Sequence, residues 1–321
     1  MHPTALCTLA HPLTQTTAHT IMPCSFNNGD PNMQISFHTD AFSSAFFNFE
    51  KCLQWAQKND VHWIECGLID GVSWMHGLGY YPHLSTVDDP VQLRRMMDKY
   101  DCHLSQIDAA FPLSEKNGPA YGIPYVINTM RYAKLCGCTR VCTTDGLHKP
   151  AGLEDNEAMA AMKQSYRFLV NYAEQYEIDL TIEIHGYFTT KIDRLEEMLN
   201  FADSPRLRLN LDTGNTFISG GNPIDFANRF AKRVSHVHIK DVSQELTDAS
   251  RGKDTGIALS HSAIGDGVNA DNIRETLKIL HQAGYAGPLS MEVEGQGGPL
   301  IEKSLHWLRK TLVELGIPER K

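Results

Sequence analysis

The sequence predicts an α/β fold, a closed barrel of eight parallel strands alternating with helices, and two observations lead to it. Eight short runs rich in apolar and β-branched residues recur along the chain, separated by stretches of helical periodicity. The competing open, doubly wound sheet usually carries a glycine-rich phosphate turn after its first strand, but here QISFHTDAFSS follows. Eight alternating units are the count of a (β/α)₈ barrel.

The elements follow from these runs in chain order. The predicted strands are Gln34–His38, Val61–Gly67, His103–Asp108, Arg140–Thr144, Asp179–His185, Leu207–Asp212, Val234–Lys240 and Leu289–Val293. The clearest amphipathic helices are predicted over Phe42–Lys58, Asn156–Tyr176 and Asn269–Ala283. In the last of these, Asn269 or Asp271 can cap the first turn.

The 321 residues suit one large barrel, and residues 34–321 are predicted to form a single catalytic domain. Residues 1–33 lack periodicity and are expected to be an extension that packs on the barrel or a second subunit, or is partly disordered. Two long connections, Leu68–Asp89 and Val242–Gly267, are expected to be lids or substrate walls. The second ends in IGDGVN, one site where a helix N-terminus can bind a ligand oxygen.

Composition and charge exclude several classes of protein. The formal charge of −9 and the lack of a basic stripe disfavour a nucleic-acid partner. No apolar run approaches the ~18 residues that span a membrane, and the N-terminus lacks the features of a signal peptide. The eight cysteines include no CxxC pair, so we expect a reduced, cytoplasmic protein.

Four acidic or imidazole side chains lie at or near the C-terminal ends of four successive predicted strands. The runs LTIEIHG, LRLNLDTGN, VSHVHIKD and LSMEVEG contribute Glu183, Asp212, His238 and Glu292. Those strand ends converge on one mouth of a barrel, where active sites are built. Three carboxylates directed at one point repel each other unless a cation lies between them, and this set suits a hard divalent ion.

The order IEIHG, NLDTGN, HVHIKD and MEVEG resembles the xylose isomerase-like TIM-barrel superfamily over about residues 34–315. This group includes ketose 3-epimerases, hydroxypyruvate isomerases and inosose dehydratases. The resemblance implies that the four residues hold one ion, with Mn²⁺ expected and Mg²⁺, Co²⁺ or Zn²⁺ as alternatives. It also implies a small-molecule carbohydrate substrate and a homo-oligomer, either a dimer or a tetramer. From the charge and the lack of a long apolar run we expect no nucleic-acid or membrane partner.

Two positions depart from the pattern of the ketose epimerases. Those enzymes have a histidine three residues after the aspartate, where this chain has Asn215, and an arginine six residues after the metal histidine, where it has Gln244. With the pair Lys240–Asp241, the chain is more similar at these positions to the keto-inositol branch and to uncharacterised sugar-isomerase branches than to a plain ketohexose epimerase.

The predicted reaction is isomerisation or epimerisation of a sugar or keto-sugar through an enediolate that the ion stabilises. Glu183 and Glu292 are predicted to move the proton. The predicted substrate-binding residues are His185, Lys240, Asn215, His38 and Asp108, with a structural role equally open for the last two.

Three other functions compete with this prediction. Loss of a β-hydroxyl would make the chain a dehydratase or lyase of a keto-inositol or keto-glycoside. A DNA-repair endonuclease of the same superfamily is disfavoured by the net charge of −9. A non-enzymatic binding barrel is disfavoured by the complete set of four ligands.

Overall fold

The computed structural model describes residues 32–71, 82–253, 257–295 and 297–321. Each barrel strand lies parallel to its neighbours, and the first strand, Gln34–His38, pairs with both the second, Trp63–Ile69, and the last, Pro288–Met291, so the sheet closes on itself. The predicted (β/α)₈ barrel is therefore confirmed. The barrel strands are β1 Gln34–His38, β2 Trp63–Ile69, β3 His103–Pro112, β4 Arg140–Thr144, β5 Asp179–Glu183, β6 Leu207–Asp212, β7 Val234–Ile239 and β8 Pro288–Met291.

Helices surround the barrel in the described part of the chain. They are α1 Phe49–Lys58, α2 Pro90–Lys99, α3 Ile123–Cys136, α4 Asp155–Tyr176, α5 Ile192–Leu199, α6 Thr213–Ile218, α7 Pro223–Phe230, α8 Gln244–Ser250, α9 Ala270–Gln282 and α10 Pro299–Leu315. Short 3₁₀ segments cover Thr39–Ala45 and Ala231–Arg233, a π-helical turn covers Gly118–Gly122, and the two-residue strand Leu84–Ser85 pairs with β2.

Side-chain caps explain where several helices begin. The Asn48 side chain accepts the Lys51 N–H at 2.9 Å before α1. The Asp89 side chain accepts the Val91 N–H at 2.8 Å before α2, and Pro90 occupies the first turn. Both arrangements satisfy N–H groups that a helix start leaves without partners.

The prediction of one continuous helix over Phe42–Lys58 is wrong. A 3₁₀ segment ends at Ala45, Phe46 adopts a left-handed conformation with φ 54°, and α1 begins only at Phe49. The break allows Phe47 to stack on buried Phe42 with ring centroids 4.8 Å apart. Aromatic packing and the new N-cap therefore outweigh helical periodicity in this segment.

Other predicted boundaries differ from the observed ones by a few residues. The β5 strand ends at Glu183 rather than His185, because the N–H groups of His185 and Gly186 donate to Thr189 Oγ1. Helix α9 begins at Ala270, and Asn269 occupies the N-cap position, but its side chain makes no capping hydrogen bond. The Asn269 Nδ2 donates instead to Thr213 O at 2.9 Å.

A layer of polar side chains fills the barrel interior below the C-terminal ends of the strands. We call it the interior polar layer: Ser36, Glu65, Ser105, Gln106, Thr181, Asn210 and His236, all fully buried. Its members bond across the barrel, as between Ser36 Oγ and Ser105 Oγ at 2.8 Å. Buried polar groups of this kind need such partners to offset their lost hydration.

The two ends of the described chain meet. Met33 is fully buried, its N–H donates to Pro318 O at 3.0 Å, and its carbonyl accepts the Arg320 N–H at 2.8 Å. Residues 1–31 of the predicted extension lie outside the described residues, and the division into 1–33 and 34–321 stays a prediction. In the described ranges, no helix combines the length and apolar character needed to cross a membrane.

The two predicted long connections are described in part. Residues 72–81 of Leu68–Asp89, which include Trp74, His76, Tyr80 and Tyr81, lie outside the described residues. The connection Val242–Gly267 carries the short helix α8, and its residues 254–256 also lie outside them.

Candidate metal centre

The four predicted ligands meet at the C-terminal mouth of the barrel. Glu183 ends β5, Asp212 ends β6, His238 lies in β7 and Glu292 follows β8 directly. His238 Nδ1 lies 3.2 Å from Glu183 Oε1, 3.5 Å from Asp212 Oδ2 and 3.3 Å from Glu292 Oε2. One ligand atom from each residue lies within 4.8 Å of the others.

A divalent cation fits this cluster. An imidazole nitrogen carries at most one proton, so His238 Nδ1 can donate to one of the three carboxylates. Asp212 Oδ2 and Glu292 Oε2 are buried and make no hydrogen bond within the described chain. Ligand atoms bound at about 2.1 Å around one ion lie roughly 3–4 Å apart, which matches the distances to Nδ1.

Burial and neighbouring cations act against each other on the two glutamates. Burial raises the pKa of Glu183, but His185 and His238 together hold it well below its usual range. Burial likewise opposes the charge of Glu292, whereas Lys240 and His238 hold its pKa well below its usual range. Both carboxylates are therefore ionised and able to bind a cation or accept a proton.

The pKa values of the other two predicted ligands, Asp212 and His238, are raised rather than lowered. Burial and the charge of Glu292 raise the pKa of Asp212 to about 7. Burial lowers the pKa of His238, but Glu65, Glu292 and Glu183 raise it well above its usual value. In the metal-free protein a protonated His238 thus compensates charge that a bound ion would otherwise neutralise.

The predicted substrate-binding residues line one cavity of about 70 Å³ with three of the four ligands. The cavity wall includes His38, Asp108, His185, Asn215 and Lys240. Asp212 lies beside it, and its Oδ1 accepts the Asn215 N–H at 2.7 Å. The structure brings the nine predicted residues to one mouth, and their roles stay predictions.

Two of these residues contact the candidate ligands directly. His185 Nδ1 lies 3.1 Å from Glu183 Oε2. Lys240 Nζ contacts Glu294 Oε1 and lies 3.7 Å from Glu292 Oε1. Asp108, also on the cavity wall, has its pKa raised to about 8 by burial and by the charge of Glu183.

Sequence reasoning gave no site role to Asp40 or Glu65. It placed His83 within a predicted lid or substrate wall, and Glu294 on the same strand face as Glu292, without a role of its own. Asp40 lies between two imidazoles, with Oδ2 3.3 Å from His38 Nδ1 and Oδ1 2.8 Å from His83 Nε2. Period-two spacing from His38 and Glu292 points to Asp40 and Glu294. No comparable spacing points to His83, which lies in a long connection, or to Glu65, which lies inside an apolar strand.

Asp241 anchors both ends of the connection that follows β7. Its Oδ1 accepts the N–H groups of Val242 at 2.8 Å and Asn269 at 3.0 Å. Its Oδ2 accepts those of Gly265 and Gly267, both at 2.9 Å. The segment IGDGVN is predicted from the sequence as a site for a ligand oxygen, but three of its N–H groups donate to the Asp241 carboxylate instead.

The chain is similar in sequence to one protein family and to curated enzymes. A family model described as a xylose isomerase-like TIM barrel matches residues 53–311. Inosose dehydratase 2 of Bacillus cereus is 30% identical over 126 residues, which are 37% of this chain and 42% of that protein. The chain thus spans about two fifths of the length of the curated relatives it matches.

Solved structures share the fold at low sequence identity. A D-tagatose 3-epimerase-like protein superposes with a TM-score of 0.70 and 18% identity, covering 88% of this chain and 98% of that one. A structure of the IOLI protein with a binding zinc atom superposes with a TM-score of 0.66 and 17% identity, with the same coverage of 88% and 98%.

Proposed function

The chain belongs to the xylose isomerase-like TIM-barrel family, and on that premise we propose that it is a divalent-metal-dependent enzyme that acts on a sugar or keto-sugar. The proposed reaction moves a proton at a carbon next to a carbonyl, which gives isomerisation or epimerisation. One observation carries the proposal: carboxylate oxygens of Glu183, Asp212 and Glu292 converge on Nδ1 of His238.

The proposed ligands are Glu183, Asp212, His238 and Glu292, holding one ion. The three carboxylates favour Mn²⁺ or Mg²⁺. The zinc atom of the similar IOLI protein keeps Zn²⁺, like Co²⁺, among the alternatives. When bound, such an ion polarises a substrate carbonyl and neutralises charge that develops on its oxygen.

Glu183 and Glu292 are the proposed proton carriers. They come from β5 and β8 and line the same cavity. Each directs one oxygen towards His238 and the other towards a second cationic group, His185 or Lys240. A carboxylate held ionised in this way can accept a proton from carbon. To give the epimer, the other carboxylate would first take a proton from solvent and then deliver it to the opposite face of the same carbon.

The cavity wall suits an uncharged, hydroxyl-rich substrate. His38, His185, Asn215 and Asp108 offer groups that can bond hydroxyls. Among the described residues of the wall, Lys240 is the single lysine or arginine, and its amino group is already paired with Glu294. This pairing favours a free sugar over a sugar phosphate.

A dehydratase acting on a keto-inositol or keto-glycoside is the second candidate. The similarity to inosose dehydratase 2 favours it, as do Asn215 and Gln244 at the two positions where the ketose epimerases differ. One of the same carboxylates would remove the proton from carbon and pass it to a hydroxyl on the neighbouring carbon, which would then leave as water.

The proposal is tested by incubating the full chain with keto-sugars, inososes and ketohexoses in heavy water. NMR follows exchange at carbon, and mass spectrometry follows the product. We expect exchange with Mn²⁺ and none after EDTA treatment. A product with the substrate's mass, allowing for incorporated deuterium, indicates isomerisation or epimerisation. A product lighter by one water indicates dehydration.

Variants define the chemical roles in this assay. Glu183→Gln and Glu292→Gln are expected to lower turnover by at least ~10²-fold. The matched control is Asp266→Asn, since this acid is paired with exposed Lys303 away from the cavity. Full turnover in either glutamine variant rejects the proton-transfer assignment, and undiminished exchange in EDTA rejects the metal requirement.

A further inference from the structure

Glu65 lies in the middle of β2, fully buried beneath the candidate metal centre. Both of its carboxylate oxygens lie 3.0 Å from His238 Nε2. The other ring nitrogen, Nδ1, faces the three carboxylates of the proposed centre. The imidazole is thus held between one carboxylate below it and three at the mouth.

The surrounding hydrogen bonds fix the direction of the contact with His238. Gln106 Nε2 donates to Glu65 Oε1 at 2.7 Å, and Thr181 Oγ1 donates to Gln106 Oε1 at 2.7 Å. Thr181 therefore sets the Gln106 amide with its amino group towards Glu65. An ionised carboxylate only accepts hydrogen bonds, so the proton between Glu65 and His238 belongs to Nε2.

A third polar group lies near the ring without changing this assignment. Asn210 Nδ2 is 3.1 Å from His238 Nε2 and 3.4 Å from its Nδ1. Because it is nearly equidistant from both nitrogens, it cannot lie along the lone pair of either one. Glu65 is consequently the acceptor that decides which nitrogen is protonated.

We propose that Glu65 is a positioning residue that accepts the Nε2–H of His238 and so presents an unprotonated Nδ1 to the divalent ion. The proposal rests on the metal centre proposed above. Metal-binding histidines are commonly oriented by an acceptor on their second nitrogen, and a carboxylate there also makes the imidazole a stronger donor.

A second ion below the first is the competing interpretation. Glu65, His236 and His238 offer three ligand atoms within 4.8 Å of one another. However, the Gln106 amino group already donates to Glu65, and His236 Nδ1 lies 3.1 Å from Asn210 Oδ1. These contacts satisfy the lower group without an ion, in contrast to the carboxylate oxygens at the mouth.

Calorimetric titration of the EDTA-treated full chain with Mn²⁺ tests the positioning role. We expect one ion per chain in the unaltered protein. Glu65→Gln keeps an acceptor without its charge and is expected to weaken binding about 10-fold, whereas Glu65→Leu removes the acceptor and is expected to weaken it about 100-fold. The matched control, Ser105→Ala, alters the interior polar layer beside His236 and is expected to change affinity less than about twofold.

A measurement on the unaltered chain tests the positioning role even if the Glu65 variants do not fold. Long-range ¹H–¹⁵N spectra of Zn²⁺-loaded, histidine-labelled protein report which nitrogen of His238 carries the proton. The signal is assigned by its loss in His238→Asn. We expect a protonated Nε2 and a metal-bound Nδ1.

Three outcomes would overturn the positioning role. One is unchanged Mn²⁺ affinity in both folded Glu65 variants, and another is a metal-bound Nε2 in the spectra. The third is binding of two ions, one of which is lost in Glu65→Gln, because Glu65 would then be a ligand. If the unaltered chain binds no divalent ion at all, both the proposed function and the positioning role of Glu65 fail. In the three outcomes above, only the positioning role fails.

Discussion

Gly214 packs against the aliphatic chain of Lys240 so closely that a Cβ at position 214 would lie 2.4 Å from the Lys240 Cγ. The same Cβ would lie 2.6 Å from the Lys240 Cβ, so the overlap involves the rigid base of the side chain. Gly214 belongs to α6, directly after the end of β6. The missing side chain makes room for Lys240 to reach Glu294 at the cavity wall.

Gly214→Ala is therefore expected to displace Lys240. Overpacking of this kind costs about 1–3 kcal/mol of unfolding free energy, measured by urea denaturation. Adding Gly214→Ala to Lys240→Gly should cost less than adding it to the unaltered chain, because the overlapping Cβ and Cγ of residue 240 are then gone. Equal costs in the two backgrounds would show that the strain lies elsewhere.

Asp241→Asn is expected to loosen the connection after β7. The amide offers one acceptor oxygen where the carboxylate offers two, so two of the four bonded N–H groups lose their acceptor. The loss is expected to cost about 2–4 kcal/mol in urea denaturation. Hydrogen exchange should also increase at Gly265 and Gly267.

The control for this prediction is Asp266→Asn in the same connection. Asp266 is exposed and pairs with exposed Lys303, and such pairs contribute about 0–1 kcal/mol. Similar losses in the two variants would contradict the anchoring role of Asp241.

The Asp40–His38 pair predicts a pH-dependent contribution to stability. Burial lowers the pKa of His38, but Asp40, Glu65 and Asp108 raise it to about 10. Burial opposes the charge of Asp40, but His38 and His83 hold its pKa well below its usual range. The Asp40 contribution is present above its unfolded pKa of about 4 and lost in stronger acid, and that of His38 is complete below about 6.5 and lost towards pH 10.

Asp40→Asn tests this window in EDTA-treated protein. Between pH 4 and 6.5, the free energy of unfolding of the variant should be about 1–3 kcal/mol lower than that of the unaltered chain. This difference should shrink as the pH rises towards 10. Urea denaturation at several pH values measures it. A difference that is constant from pH 5 to 10 would contradict the coupling between Asp40 and His38.

Strand periodicity identified the barrel and the four residues at its mouth because their signal is local. Glu183 and Asp212 end apolar runs, and the C-terminal ends of parallel barrel strands must face the same way. Bounds of β1, β4 and β6 agree with the predicted ones. The family predicted from the four motifs is confirmed by the match over residues 53–311.

The residues that sequence reasoning missed depend on contacts between distant parts of the chain. Glu65 lies inside the run WIECGLI, and its partner His238 is 173 positions away. The break at Phe46 arises from ring stacking and a cap that compete with a helical pattern. Such features follow from closure of the barrel, which one-dimensional spacing does not encode.

The bridge between Met33 and Glu319 has a practical consequence for rearranging this chain. Because the segments at Met33 and Glu319 already touch, a short linker could join them in a chain from which residues 1–31 are removed, and new termini could be opened at an exposed surface turn. Strand neighbours and the cavity wall would keep their places in such a circular permutant, since the contacts described for them are independent of the order in which the segments are connected.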